Sequence, residues 1–173
     1  MSQPEVIVRM GELAVSSEPN QVLTTLGLGS CIGLAMLDPS QGNVGLAHIM
    51  LPAAPNGHTH APARFADTAV PALLAALARF GSAAASLEAV LIGGARMFAF
   101  ARSAALNVGP CNEAAAREAL GMAGIPIRAA ATGGSIGRSV RVLAAEAAVT
   151  VRTASETTEL YRAESAAAGL VLR

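Results

Sequence analysis

Two apolar runs, residues 31–37 and 44–49, flank Asp38-Pro-Ser-Gln-Gly-Asn43, a segment built almost entirely of turn formers. Runs of strand length closed by such a loop pair as an antiparallel hairpin. The pairing constrains more than local structure. If Leu37 sits opposite Val44, Gly33 faces His48 and Cys31 faces Met50. Cys31 and His48 then lie on one face as diagonal neighbours, about 7 Å apart at Cα. A slip of one residue would send them to opposite faces.

Around this hairpin the chain alternates short apolar runs with turn residues. Strands are expected over residues 6–8, 22–26, 87–92, 127–131, 140–144 and 148–152, with a turn at 16–20 and an irregular loop over 53–63. Val70, Leu73, Leu74, Leu77 and Phe80 recur at helical spacing between Asp67, an N-cap candidate, and Gly81, a stop. Asn112 is read as the N-cap of a second helix that ends at Gly124. From Thr153 the chain turns polar and then alanine-rich, as expected of a frayed tail or a short helix. Strands, helix, strand, helix, strands is not a regular βαβ alternation, so the reading is α+β with a mixed sheet and two main helices. At 173 residues it is read as one domain, 1–173, with its core at about 5–152 and a tail over 153–173.

Composition narrows the function classes. Twelve basic residues balance twelve acidic ones, and all the basic residues are arginine. Without lysine there is no Schiff base and no Walker A phosphate loop. No basic stripe points to nucleic acid or an anionic membrane, and 3% aromatic residues is too few for stacking on single strands. With 53% hydrophobic and 14% charged residues, the chain is no disordered segment. It shows no signal-peptide pattern and no apolar run of membrane-spanning length, so a cytoplasmic location is expected. His58 and His60 lack acidic or thiol neighbours and read as loop residues rather than metal ligands, and nothing in the sequence calls for a cofactor. Gly133-Gly-Ser-Ile-Gly137 has no following lysine and reads as a turn.

The chemistry concentrates in Gly27-Leu-Gly-Ser-Cys31 and His48. Glycines before a cysteine permit close backbone approach, and successive N–H groups at Gly29, Ser30 and Cys31 could converge on one oxygen. A thiol attacking an acyl carbon needs such an oxyanion site and a base. His48 is placed by the hairpin to be that base. The plainer reading stands beside it: Cys31 as a small buried hydrophobe and His48 as a core histidine.

Thr25-Leu-Gly-Leu-Gly-Ser-Cys31, Asp38-Pro39 and Gly45-Leu-Ala-His48-Ile-Met-Leu-Pro52 resemble the signature of the chemoreceptor glutamine deamidases, CheD. The similarity continues through Arg64-Phe-Ala-Asp67, Gly93-Gly-Ala-Arg-Met-Phe98, Val108-Gly-Pro-Cys-Asn112 and Gly133-Gly-Ser-Ile-Gly-Arg138. The resemblance implies conversion of glutamines on methyl-accepting chemotaxis receptors to glutamate. It further implies Cys31 as nucleophile, His48 as base, Thr25 as its orienting partner, and a fold like the catalytic domain of cytotoxic necrotizing factor toxins. Cytoplasmic receptor helices are the implied partner, and a CheC-type phosphatase a further one. Two other activities fit the same residues: a non-catalytic regulator that binds such a phosphatase, and a receptor methylesterase. Cys111 and Ala131 depart from the family, which has Arg and Asp at those places.

Overall fold

The computed structural model of the chain describes residues 3–97 and 107–164. Among the described residues, ten strands form two mixed five-stranded sheets. The hairpin sheet has the order β2 (Leu13–Ser16), β5 (Asn43–Ile49), β4 (Ile32–Asp38), β6 (Glu88–Gly93), β7 (Ile127–Thr132). The outer sheet has the order β1 (Glu5–Ile7), β3 (Val22–Leu28), β8 (Arg138–Leu143), β9 (Ala148–Arg152), β10 (Thr157–Arg162). Helices α1 (Ala66–Ala78) and α2 (Val108–Ala123) cover the other face of the hairpin sheet. The α+β class and the mixed pairing expected from the sequence are both present: β1 runs parallel to β3 and β6 to β7, and the other paired strands run antiparallel.

This layering explains why β4 and β5 are apolar on both faces. Ile32, Leu34, Met36, Ala47 and Ile49 meet the helices, while Ala35, Leu37, Val44 and Leu46 meet the outer sheet. A sheet covered on both sides reads as a continuous hydrophobic run rather than an alternation. The hairpin register is the expected one, with Leu37 opposite Val44 and Gly33 opposite His48. At the hairpin tip Asp38 accepts hydrogen bonds from Ser40 and Gln41, which closes the turn.

Several expectations are corrected. Leu13–Ser16 forms β2, where the sequence suggested only a turn beginning at Ser16; three apolar residues are too few to show a period. Residues 157–162, expected in a tail, form β10 and pair with β9, so the sheet extends past residue 152. That strand is a largely exposed edge and carries no apolar alternation. The remaining tail from 165 lies outside the described residues.

Asp67 is not an N-cap. Phe65 holds that position, and the Asp67 carboxylate accepts the Ala54 N–H at 3.0 and 3.1 Å, tying the 53–63 loop to α1. Leu73 and Leu77 of α1 are buried, each contributing ~1.5–3 kcal/mol, whereas Phe80 lies beyond the helix and is exposed. Asn112 is not an N-cap either: α2 starts at Val108, and Asn112 is completely buried within it. Gly124 does close α2, in the left-handed conformation at φ 70°. Among the described residues, no helix is long and apolar enough to cross a membrane.

Candidate active site

β3 belongs to the outer sheet and β4 to the hairpin sheet, so the chain changes sheets through Gly29, Ser30 and Cys31. β3 prepares this step with a bulge. Its pairing with β8 shifts between Thr25 and Leu28, and Gly27 takes φ 68°. The extra residue turns both Thr25 and Leu28 inward between the sheets and leaves Leu26 exposed. Gly33, opposite His48, leaves the room: a Cβ there would stand 2.8 Å from Leu28 Cδ1 and 3.6 Å from Thr25 Cγ2.

Thr25 Oγ1 lies 2.7 Å from His48 Nδ1 and 2.8 Å from the Val8 carbonyl oxygen. A carbonyl only accepts, and the hydroxyl has one hydrogen, so Thr25 donates to Val8 and accepts from His48. The proton of the imidazole is thereby assigned to Nδ1. The Nε2 atom keeps its lone pair, is buried, and has no hydrogen-bond partner among the described residues. Residues 8–12 wrap the same histidine: Gly11 donates to the His48 carbonyl and the His48 N–H to Glu12, both at 2.9 Å. Burial holds the His48 pKa below its ordinary value, with the Val8 carbonyl opposing that shift.

Cys31 is half-buried on the same face, two residues before the register partner of His48. Burial raises its pKa, which favours the neutral thiol. The backbone around it is held from one side. The Gly29 carbonyl accepts from Ala95 N–H at 2.8 Å and the Cys31 carbonyl from Gly94 N–H at 2.8 Å. The Ser30 carbonyl accepts from Asn112 Nδ2 at 3.0 Å. Among the described residues no group accepts from the N–H of Gly29, Ser30 or Cys31. Gly93, at φ 108°, makes the close approach possible, since a Cβ there would stand 2.2 Å from the Cys31 oxygen.

The structure thus brings Thr25, Cys31, His48 and the Gly29–Ser30 backbone to one place. His58 and His60 are exposed in their loop, and no cluster of metal-ligating side chains occurs among the described residues. The glycine loop 133–137 connects β7 to β8 and packs here, with Gly133 N–H donating to Gly93 and Arg96 N–H to Gly134. Val8 packs at this place although motif reading did not single it out, and Gly93, Gly94 and Asn112 lie in blocks of the resemblance that carried no assigned role.

The description "CheD chemotactic sensory transduction" matches residues 50–153. A protein of Desulfitobacterium hafniense (strain DSM 10664 / DCB-2), named a probable chemoreceptor glutamine deamidase CheD, is 38% identical over 149 residues, 86% of this chain and 92% of that one. The chain belongs to the CheD family. Another CheD relative, the chemoreceptor glutamine deamidase of Thermotoga maritima, is 41% identical over 134 residues, covering 78% of this chain and 82% of its own. Thr25, Cys31 and His48 precede the span of the CheD match and fall where Val8, the β3 bulge and the hairpin converge. Two solved structures also align. Bacillus licheniformis hypothetical protein YfiH has a TM-score of 0.43 at 18% identity, covering 71% of this chain and 49% of that one. Neisseria meningitidis protein NMB0706 has a TM-score of 0.44 at 11% identity, covering 76% and 63%.

Proposed function

We propose that this CheD family member hydrolyses glutamine side-chain amides on the cytoplasmic helices of chemoreceptors, using Cys31 as nucleophile. The observation that carries the mechanism is the Val8–Thr25–His48 relay, which leaves an unprotonated, unpartnered Nε2 on the face that bears Cys31. In this reading His48 Nε2 takes the thiol proton as Sγ bonds to the amide carbon, and the amide oxygen becomes an oxyanion held by the N–H groups of Ser30 and Cys31. The C–N bond then breaks as the imidazolium protonates the departing ammonia. Water, deprotonated by the same Nε2, attacks the thioester; the C–S bond breaks, glutamate leaves, and the proton returns to the thiolate. No step calls for a metal or cofactor.

Thr25 serves here as a neutral orienting group where hydrolases often place a carboxylate. A neutral partner stabilises an imidazolium less, so modest turnover is expected. Exposed Met97 packs against Gly29, and exposed Ile136 belongs to the 133–137 loop that meets Gly93, an apolar rim beside the nucleophile suited to a receptor helix that presents its glutamine to Cys31. We expect the two-sheet frame to be that of the cytotoxic necrotizing factor catalytic domain, and a CheC-type phosphatase to compete for the same rim.

The test is mass spectrometry of a co-expressed receptor cytoplasmic domain. A gain of about 1 Da at particular glutamines, absent with Cys31→Ala, supports acyl transfer from that thiol. No gain with folded protein and cognate receptor refutes the deamidase reading. Methanol release from methylated receptor without ammonia release from the amide form would assign the site to ester hydrolysis instead.

A further inference from the structure

Asn112 sits fully buried in the second turn of α2, facing the point where the chain changes sheets. Its Nδ2 donates to the Ser30 carbonyl at 3.0 Å and to the Met50 carbonyl at 2.9 Å. Both partners only accept, so the orientation of the amide is fixed. Its Oδ1 is buried and has no hydrogen-bond partner among the described residues. A side chain with a stranded acceptor is a poor choice for merely filling a helix interface. Its donors must therefore matter more than its packing.

What those donors fix is a peptide plane. In a trans peptide the C=O of one residue and the N–H of the next point in opposite directions within one rigid unit. Holding the Ser30 carbonyl from the α2 side therefore turns the Cys31 N–H to the side away from α2. The second bond takes the carbonyl of Met50, the residue just past Ile49, where the pairing of β5 with β4 ends. The Cys31 N–H is thus both aimed and left free of an acceptor among the described residues. We propose that Asn112 is the positioning residue of the oxyanion site: it holds the Ser30–Cys31 peptide so that the N–H of the nucleophile itself points at the developing oxyanion. The flanking carbonyls of Gly29 and Cys31 are held by backbone N–H groups, which substitution cannot remove. Asn112 is the side-chain member of this set. The inference rests on the reading of Cys31 as an acyl-transfer nucleophile.

The experiment separates two reactions of one thiol. Acylation by p-nitrophenyl acetate passes through a tetrahedral oxyanion. Alkylation by iodoacetamide displaces iodide at a saturated carbon and makes none. Both rates are measured at Cys31 in a Cys111→Ser background, for the native Asn112 and for Asn112→Asp and Asn112→Ala, below the melting temperature of each. Aspartate keeps the size but cannot donate; alanine removes the side chain without adding charge. The expected result in either variant is a fall of about 10- to 100-fold in acylation, the cost of a misaimed oxyanion donor, with alkylation changed less than about threefold. Equal falls in both reactions, or an unchanged acylation rate, would overturn the proposal. So would a parent protein in which Cys31 is alkylated but not acylated. If the acylation contrast holds while no receptor glutamine is deamidated, the substrate assignment fails and the role of Asn112 stands.

Discussion

Thr25→Val tests the relay with little change of shape, since valine is β-branched and suits a strand. The substitution removes one hydroxyl and strands two buried groups: the His48 Nδ1–H, 2.7 Å away, and the Val8 carbonyl, 2.8 Å away. An unsatisfied buried polar group costs about 1–3 kcal/mol, so after some relaxation the pair should cost about 2–4 kcal/mol of stability. At about 2–4 °C per kcal/mol for a chain of this size, Tm should fall by about 5–15 °C. The kinetic effect follows from the tautomer. Without an acceptor at Nδ1 the ring no longer favours the form with its lone pair at Nε2, and losing about 1.4–2.8 kcal/mol of that preference costs about 10- to 100-fold in kcat. KM should hold, because Thr25 is buried beneath the rim that meets the receptor. The assay is ammonia release from a receptor cytoplasmic fragment, run beside a thermal melt on the same sample. Thr25→Ser, which keeps the hydroxyl, should stay within about threefold of the parent in kcat. A valine variant with a lowered Tm but an unchanged kcat would make Thr25 purely structural and refute the relay.

The buried pair also sets pH limits. The native His48 pKa is lowered, so as pH falls below the ordinary 6.5 the unfolded chain takes up a proton the native state refuses, and stability declines. The native Cys31 pKa is raised, so above its ordinary 9.0 the unfolded chain loses a proton the native state keeps, and stability declines again. Thermal melts across pH should show Cys31→Ser flattening the alkaline limb, and an unaltered limb would count against a buried thiol. Gly93→Ala should destabilise far more than Gly81→Ala: both have positive φ, but the first Cβ would stand 2.2 Å from the Cys31 oxygen and the second meets nothing within 4 Å. We expect about 1–2 kcal/mol at Gly81 and more than about 4 kcal/mol at Gly93, read from urea midpoints; equal losses would refute the close approach. Met97→Ser and Ile136→Ser should raise KM for the receptor fragment about 3- to 10-fold with little effect on kcat. A fall in kcat alone would remove the rim from the docking argument.

How much of this was legible in the sequence depends on the distance over which each contact acts. The hairpin is local: two apolar runs and a six-residue turn set its register, and the register puts Cys31 and His48 on one face. Thr25 could not be found that way, because its contact crosses from one sheet to the other through a bulge that no periodicity announces. It entered through the family resemblance. Asn112 was misread for a reason that is physical. An asparagine before an alanine-rich run has the pattern of an N-cap, but the helix starts earlier, at Val108. Gly109 lets that first turn lie against the Gly94–Ala95 backbone, where a Cβ would stand 2.5 Å from the Ala95 oxygen. Pattern rules register what a residue does for its own helix; Asn112 works for a different segment. β10 escaped because an edge strand with polar faces has the composition of a tail.

The placement of the site follows from where the chain changes sheets. Residues 8–12 lead from β1 in the outer sheet to β2 in the hairpin sheet, residues 29–31 lead from β3 to β4, and residues 133–137 lead back from β7 to β8. These three passages lie at one end of the layered core, at the last register pairs of β4 with β5 and β6, while the fourth, residues 17–21 from β2 to β3, lies at the opposite end, beyond the Ser16–Val44 pair. Inside a sheet each backbone N–H is committed to the ladder. At a passage between sheets the ladder stops, and its polar groups must find other partners or remain available. The first passage supplies the Val8 carbonyl that fixes the histidine tautomer; the second supplies the thiol and the uncommitted N–H groups; the third braces the Gly93–Gly94 turn that holds the second. The same two-sheet packing buries His48 and supplies the desolvation that lowers its pKa. Disrupting a passage should therefore cost activity before it costs the core. Gly33→Ala, which pushes Leu28 into the β3 bulge while leaving both ladders intact, should lower kcat by about tenfold at a stability loss of only about 1–3 kcal/mol. A variant that lost its fold before its activity would show that the passages belong to the core and not to the site.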